Sequence, residues 1–145
     1  MAAIKRRAEA VWNGGGKDGR GTLDTNSGAL ASVPYSAGMR FGEEKGTNPE
    51  ELLAAAHAGC FNMALAFGLS GSGKQPEELR TTAVVSMEQE GGGFTIKSVA
   101  LTLRGRVPGM SQDEFRQAAE AAKAGCPVSR LFKGAEITLD AQLVD

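Results

Sequence analysis

Hydrophobic and polar positions change period several times along the chain, and each change marks an element. The extended run IKRRAEAVW (residues 4–12) stops at Asn13-Gly14-Gly15-Gly16, and GRGTLDTNSG (residues 19–28) follows. Asn-Gly between two extended runs predicts a β-hairpin. Residues 31–46, ASVPYSAGMRFGEEKG, have no sustained period and are expected to be irregular loop. A long helix comes next. Thr47 or Asn48 caps it, and Pro49 suits a first turn where a missing N–H costs nothing. Thr47-x-x-Glu50 and Asn48-x-x-Glu51 both have capping-box spacing. Residues 52–69 are apolar on nearly every side and rich in alanine, which predicts a helix buried all round.

Alternation returns at residues 79–90 and 94–107, two strands joined by Gly91-Gly92-Gly93, with a slip near Ser98 that predicts a bulge. Ser111-x-x-Glu114 opens a second helix, with Met110 and Phe115 as its hydrophobic staple and Gly125 as its stop. Cys126-Pro127 begins a short helical piece, VSRLF. The chain ends on AEITLDAQLV, where Ile137, Leu139, Ala141 and Leu143 share one strand face. The order is strands, helix, strands, helix, strand. It predicts an α+β fold of antiparallel sheet packed on helices, in a single domain over residues 1–145.

Composition narrows the function. At 145 residues with 41% apolar and 23% charged positions, the chain can bury a core without metal or disulfide staples. A net charge of −1 argues against nucleic acid or an anionic membrane as partner, since both need a basic field. No stretch reads as a bilayer span of ~20 apolar residues, and the N-terminus lacks the apolar core of a signal peptide. A soluble cytoplasmic protein is therefore expected. In that compartment two cysteines suggest catalysis, redox sensing or metal before a permanent disulfide.

Most candidate motifs weaken on inspection. GSGK (residues 71–74) lacks the phosphate-loop spacing and follows a helix rather than a strand. A zinc site needs three or four ligands, and Cys60, Cys126 and His57 are the only soft candidates, with no CxxC pair among them, so no metal or cofactor is expected. His57 stands one turn before Cys60; a packed or hydrogen-bonded helix histidine is the simpler reading, a catalytic base the other. The cysteines read either as inert buried thiols or as reactive ones. Cys126, between Gly125 and Pro127, sits where helix-start amides favour a thiolate. Cys60 is mid-helix and needs a borrowed cation to react, because burial alone raises its pKa.

Two segments carry a family likeness. RFGEEKGTNPEELLAAAHAGCFNMALA and KAGCPVSRLFKGAEITLDAQLVD closely resemble the osmotically inducible protein C (OsmC) family, a relative of the organic hydroperoxide resistance proteins. The likeness covers essentially the whole chain, and His57 and the sequence around Arg40 fit the OsmC branch better. It implies a thiol-dependent peroxidase of organic hydroperoxides and hydrogen peroxide, acting in oxidative or osmotic stress. Its reactive cysteine would be Cys60, its resolving cysteine Cys126, its arginine Arg40 and its glutamate Glu50. It also implies an intertwined homodimer, with antiparallel sheets wrapped around long buried central helices, peroxide as substrate and a dithiol as reductant.

Helix geometry constrains these roles. Glu50 precedes Cys60 by ten residues, about 15 Å of helix and a different side, so it should not touch Cys60 of its own helix. Either Arg40 bridges the gap, or Glu50 comes from the partner across a two-fold axis, the favoured arrangement. Arg40 would hold the Cys60 thiolate, with Glu50 orienting the guanidinium. Met39, Phe41, Met63 and Phe67 are candidates to line an apolar pocket, and Tyr35 to hydrogen-bond near Arg40. The competing readings are an apolar-ligand-binding stress protein with a cysteine latch, and a redox sensor.

Overall fold

The computed structural model describes residues 1–144. It separates into two compact units, Met1–Leu52 and the chain from Leu53 onward.

In the first unit, β1 (Ala8–Asn13) and β2 (Arg20–Thr25) form the expected antiparallel hairpin. Gly14 takes a positive φ of 94°, a conformation open to glycine at no steric cost. Trp12, Gly21 and Tyr35 stand side by side across the sheet, and the two rings lie 5.3 Å apart over the glycine. A Cβ at Gly21 would meet both rings. The stretch expected to be irregular, residues 31–46, instead holds β3 (Val33–Tyr35), antiparallel to β2, and the helical turn α1 (Ala37–Phe41). A three-residue strand is too short to show a period, and pairing with β2 supplies what local pattern lacks. Ser36 starts α1 by accepting the Met39 N–H at 3.2 Å.

Helix α2 (Pro49–Gly71) begins at the end of this unit. Asn48 caps it, its Oδ1 accepting the Glu51 N–H at 2.8 Å, and the Thr47 hydroxyl donates to Glu51. Pro49 is its first residue, as expected of a residue without an N–H.

The second unit carries β4 (Glu78–Glu90), β5 (Gly93–Arg106), α3 (Gln112–Gly125), α4 (Pro127–Leu131) and β6 (Glu136–Leu143). The β4–β5 register jumps from Ser86↔Ser98 to Met87↔Ile96, leaving Lys97 as the extra residue of a bulge beside Ser98. Ser111 and Glu114 form the full capping box of α3. The core joins Phe61, Leu65 and Leu69 of α2, Val99, Leu101 and Leu103 of β5, and Phe115 and Ala119 of α3. Each large side chain buried this fully contributes about 1.5–3 kcal/mol.

Three expectations need correction. The sheet is not wholly antiparallel: β6 runs parallel to β5. Two helices separate these strands in sequence, and a helical crossover returns the chain in the same direction. Nor is α2 buried on all sides. His57, Phe61, Leu65 and Leu69 form its buried stripe, while Met63 and Phe67 are 62% and 73% exposed. Finally, α2 is, at 23 residues, long and apolar enough to cross a membrane by length and composition, contrary to the reading from sequence. Its alanines raise the mean hydropathy without adding bulk, and its Phe61 stripe is packed into protein core.

Candidate active site

Cys60 and Cys126, 66 residues apart in sequence, meet in the second unit with their sulfurs 2.9 Å apart, the Cys126 thiol donating to Cys60. Both thiols are free; Cys60 is partly exposed and Cys126 fully buried. The local chain dictates this placement. Cys126 ends α3, its N–H donating to the Ala122 carbonyl, and starts α4, its carbonyl accepting the Arg130 N–H. Pro127 then occupies the first position of α4. One residue thus closes one helix and opens the next, which turns its side chain towards α2.

Burial pushes the Cys60 thiol above its ordinary pKa, and the hydrogen bond it shares with the Cys126 sulfur adds to the rise, with a smaller contribution from charge repulsion between the two sulfurs. The Val128 N–H, donated to the Cys60 sulfur, opposes both. Helix-start amides were expected to serve Cys126. Cys126 makes no side-chain cap hydrogen bond, and the Val128 amide of α4 reaches Cys60 instead.

One turn before Cys60, fully buried His57 shares a 2.7 Å hydrogen bond between its Nε2 and the Ser129 Oγ of α4. Its ring stands edge-on to Phe132, with centroids 5.3 Å apart. Nδ1 is buried with no partner among the described residues. Desolvation holds the His57 pKa below its ordinary value and so disfavours the charged ring. This is the packed, hydrogen-bonded histidine. Sequence reasoning missed its partner Ser129, although a signal existed: His57-x-x-Cys60 and Cys126-x-x-Ser129 share one helical spacing.

Arg40 and Glu50 meet in the first unit. The guanidinium grips the carboxylate through Nε, 3.1 Å from both oxygens, and a terminal nitrogen 2.6 Å from Oε1. Glu50 is the more buried partner, at 12% side-chain exposure against 39% for Arg40. Desolvation raises the Glu50 pKa, but the hydrogen bonds and charge of Arg40 outweigh it and leave the carboxyl below its usual range. The hydrogen bond to Glu50 in turn raises Arg40. The guanidinium also stacks over Phe41 at 5.2 Å from the ring centre. A cleft of about 270 Å³, lined by Trp12, Tyr35, Ser36, Arg40, Phe41 and Pro49, surrounds it. Tyr35, expected to hydrogen-bond near Arg40, lines this cleft, and its ring packs on Trp12. Met39 packs against Gly46 instead of lining this cleft.

The four residues singled out in the sequence thus stand as two contacting pairs, each inside one unit. Among the described residues, no group of three or more His, Cys, Asp and Glu side chains is arranged to hold a metal ion.

Known proteins resemble this chain in sequence and in fold. The chain is 49% identical over 140 residues to the peroxiredoxin OsmC of Escherichia coli (strain K12), covering 97% of each. It is 35% identical over 122 residues to the organic hydroperoxide resistance protein of Xanthomonas axonopodis pv. citri, covering 83% of this chain and 82% of that one. A crystal structure of an organic hydroperoxide resistance protein OsmC from Legionella pneumophila superposes with a TM-score of 0.74 at 26% identity, over 98% of this chain and 99% of that one. The family described as OsmC-like protein matches residues 42–141. The fold is α+β and OsmC-like, and the chain belongs to the OsmC-like protein family.

Proposed function

We propose that this protein is a cysteine-based peroxidase that reduces organic hydroperoxides and hydrogen peroxide in stress defence. The observation that carries the reading is the contact of the two thiols at 2.9 Å, one partly exposed and one buried. The cycle has three steps. The Cys60 thiolate attacks the terminal peroxide oxygen, the O–O bond breaks, and the alkoxide leaves as alcohol after taking a proton; Cys60 becomes a sulfenic acid. The Cys126 thiol then attacks the sulfenic sulfur, forming the disulfide and releasing water. A dithiol reductant restores both thiols by exchange and is itself oxidised.

Arg40 and Glu50 supply what Cys60 lacks. A thiol raised by burial needs a fixed cation, and arginine stays charged at any working pH. Glu50 fixes the guanidinium by a two-pronged grip, leaving other N–H groups of the fork for thiolate, peroxide or departing oxygen. In this reading the enzyme is an intertwined homodimer in which Arg40 and Glu50 act on the partner's Cys60. The exposed apolar side chains of Met63 and Phe67 on α2 support a covering partner. Residues 1–145 work as one peroxidase domain, in the cytoplasm. The family match across residues 42–141, which spans the boundary between the two units, favours a single domain.

The test is steady-state consumption of cumene hydroperoxide and hydrogen peroxide with a dithiol, by the native protein and by Cys60→Ser. Turnover should be lost in the variant. Native protein with reduced thiols that shows no turnover with several dithiols would sink the proposal.

A further inference from the structure

Helix α4 is five residues long, far below the length at which a helix holds itself together in water. Its place against α2 must therefore come from contacts outside its own backbone. Cys126, Val128 and Phe132 pack in or against the hydrophobic core, and beside that packing the polar contacts run along one line. The Cys126 thiol donates to Cys60, the Val128 N–H donates to the same sulfur, and the Ser129 hydroxyl meets His57 one turn further along α2. Phe132, just past the end of α4, closes the line against the His57 ring. The first two links depend on the state of Cys60. The His57–Ser129 bond does not, because neither group is consumed in the cycle.

We infer that His57 and Ser129 are positioning residues that hold α4 against α2 while Cys60 is a sulfenic acid, and so set the rate at which Cys126 closes the disulfide. The inference rests on the peroxidase reading of Cys60 and Cys126. The sulfenic acid has two fates. Attack by Cys126 releases water and gives the disulfide; attack on a second hydroperoxide gives a sulfinic acid and an alcohol. The first is unimolecular, and its rate rises with the fraction of time α4 keeps the two sulfurs in reach. The second depends on peroxide concentration and not on α4. A loosened α4 therefore shifts the partition towards sulfinic acid and leaves the first peroxide reaction alone.

The Ser129→Ala variant removes the hydroxyl with little change in volume. Reduced protein is treated with cumene hydroperoxide over a range of concentrations and read by intact mass, where the disulfide loses two hydrogens and the sulfinate gains two oxygens. The first step is read separately, as consumption of reduced protein under limiting peroxide. The expected result is a disulfide-to-sulfinate ratio lowered about tenfold, with the first step within about twofold of native. Ser129→Thr, which keeps the hydroxyl, should restore the ratio. A folded Ser129→Ala protein, checked by circular dichroism, with an unchanged ratio overturns the inference, as does equal slowing of both steps. Should Ser129→Ala not fold, His57→Gln and His57→Asn carry the same test. The glutamine amide reaches the position of Nε2 and should keep the ratio, whereas asparagine stops short and should lower it; equal ratios overturn the inference. Native protein that reacts with peroxide yet forms no disulfide shows that the cysteine reading itself has failed, and the positioning role falls with it.

Discussion

At the scale of single residues, the chemistry turns on a conflict at Cys60. Burial pushes its thiol up, and one donated amide N–H opposes that rise without reversing it. The proposed nucleophile is needed as thiolate, and in the proposed mechanism the Arg40 cation supplies the rest. Replacing Arg40 by glutamine should raise the pH midpoint of Cys60 alkylation by iodoacetamide by about one unit or more, a roughly tenfold loss of thiolate at neutral pH. Mass spectrometry of the Cys60 peptide reads it; an unchanged midpoint would remove Arg40 from the mechanism. Arg40→Lys should lie between, keeping charge but losing the fork that grips Glu50. Glu50 makes a second, independent prediction. Its carboxyl is depressed in the fold, so its contribution to stability is fully present above the ordinary carboxylate range and lost as pH falls through the lower, folded value. Because Arg40 is partly exposed, that contribution is about 0.5–1 kcal/mol. Glu50→Gln should cost this much at neutral pH and flatten the acid side of a urea-denaturation series. Equal losses at pH 7 and below the carboxylate range would mean that the pair contributes through packing alone.

At the scale of elements, side-chain shape decides what pattern leaves open. A Cβ added to Gly105 of β5 would overlap the ring of Phe115 on α3, so the glycine lets the helix lie close on the strand. Gly105→Ala should cost about 1–3 kcal/mol by overpacking and lower the melting temperature; an unchanged midpoint would show that α3 can shift freely. Where elements announce themselves locally, the sequence is legible. Asn48, Pro49 and the Ser111–Glu114 box mark helix starts that hydrogen bonds confirm, and the slip near Ser98 is a true bulge. Where an element exists because of a distant partner, it is not. The strand at residues 33–35 pairs only because β2 offers an edge, and the parallel direction of β6 follows from a crossover that no residue encodes. The site divides in the same way. Helix position and an apolar setting make Cys60 conspicuous, and the resemblance pairs it with Cys126. Ser129 looks like any small polar residue until the fold brings it across 72 positions to His57.

At the scale of the whole molecule, the proposed homodimer raises the question of which chain's arginine serves which chain's cysteine. Helix α2 keeps one stripe in the core and leaves Met63 and Phe67 exposed. If these residues meet a second copy, Phe67→Glu should place a charge in an apolar interface, yield monomers by sedimentation and lose peroxidase activity together with the dimer. Loss of activity alone cannot tell a damaged fold from a missing partner, but complementation can. Cys60→Ser and Arg40→Gln should each be nearly inactive as homodimers. Unfolded together and refolded as an equal mixture, half the dimers carry one chain of each kind. When Arg40 reaches across the interface, each mixed dimer contains one intact site, made of Cys60 from the Arg40→Gln chain and Arg40 from the Cys60→Ser chain. About a quarter of native activity should then return. When Arg40 serves its own chain, every site in the mixture lacks either thiol or cation, and activity should stay at the level of the separate variants. Recovery would make the dimer part of the catalytic machinery, because neither polypeptide alone contains a complete site.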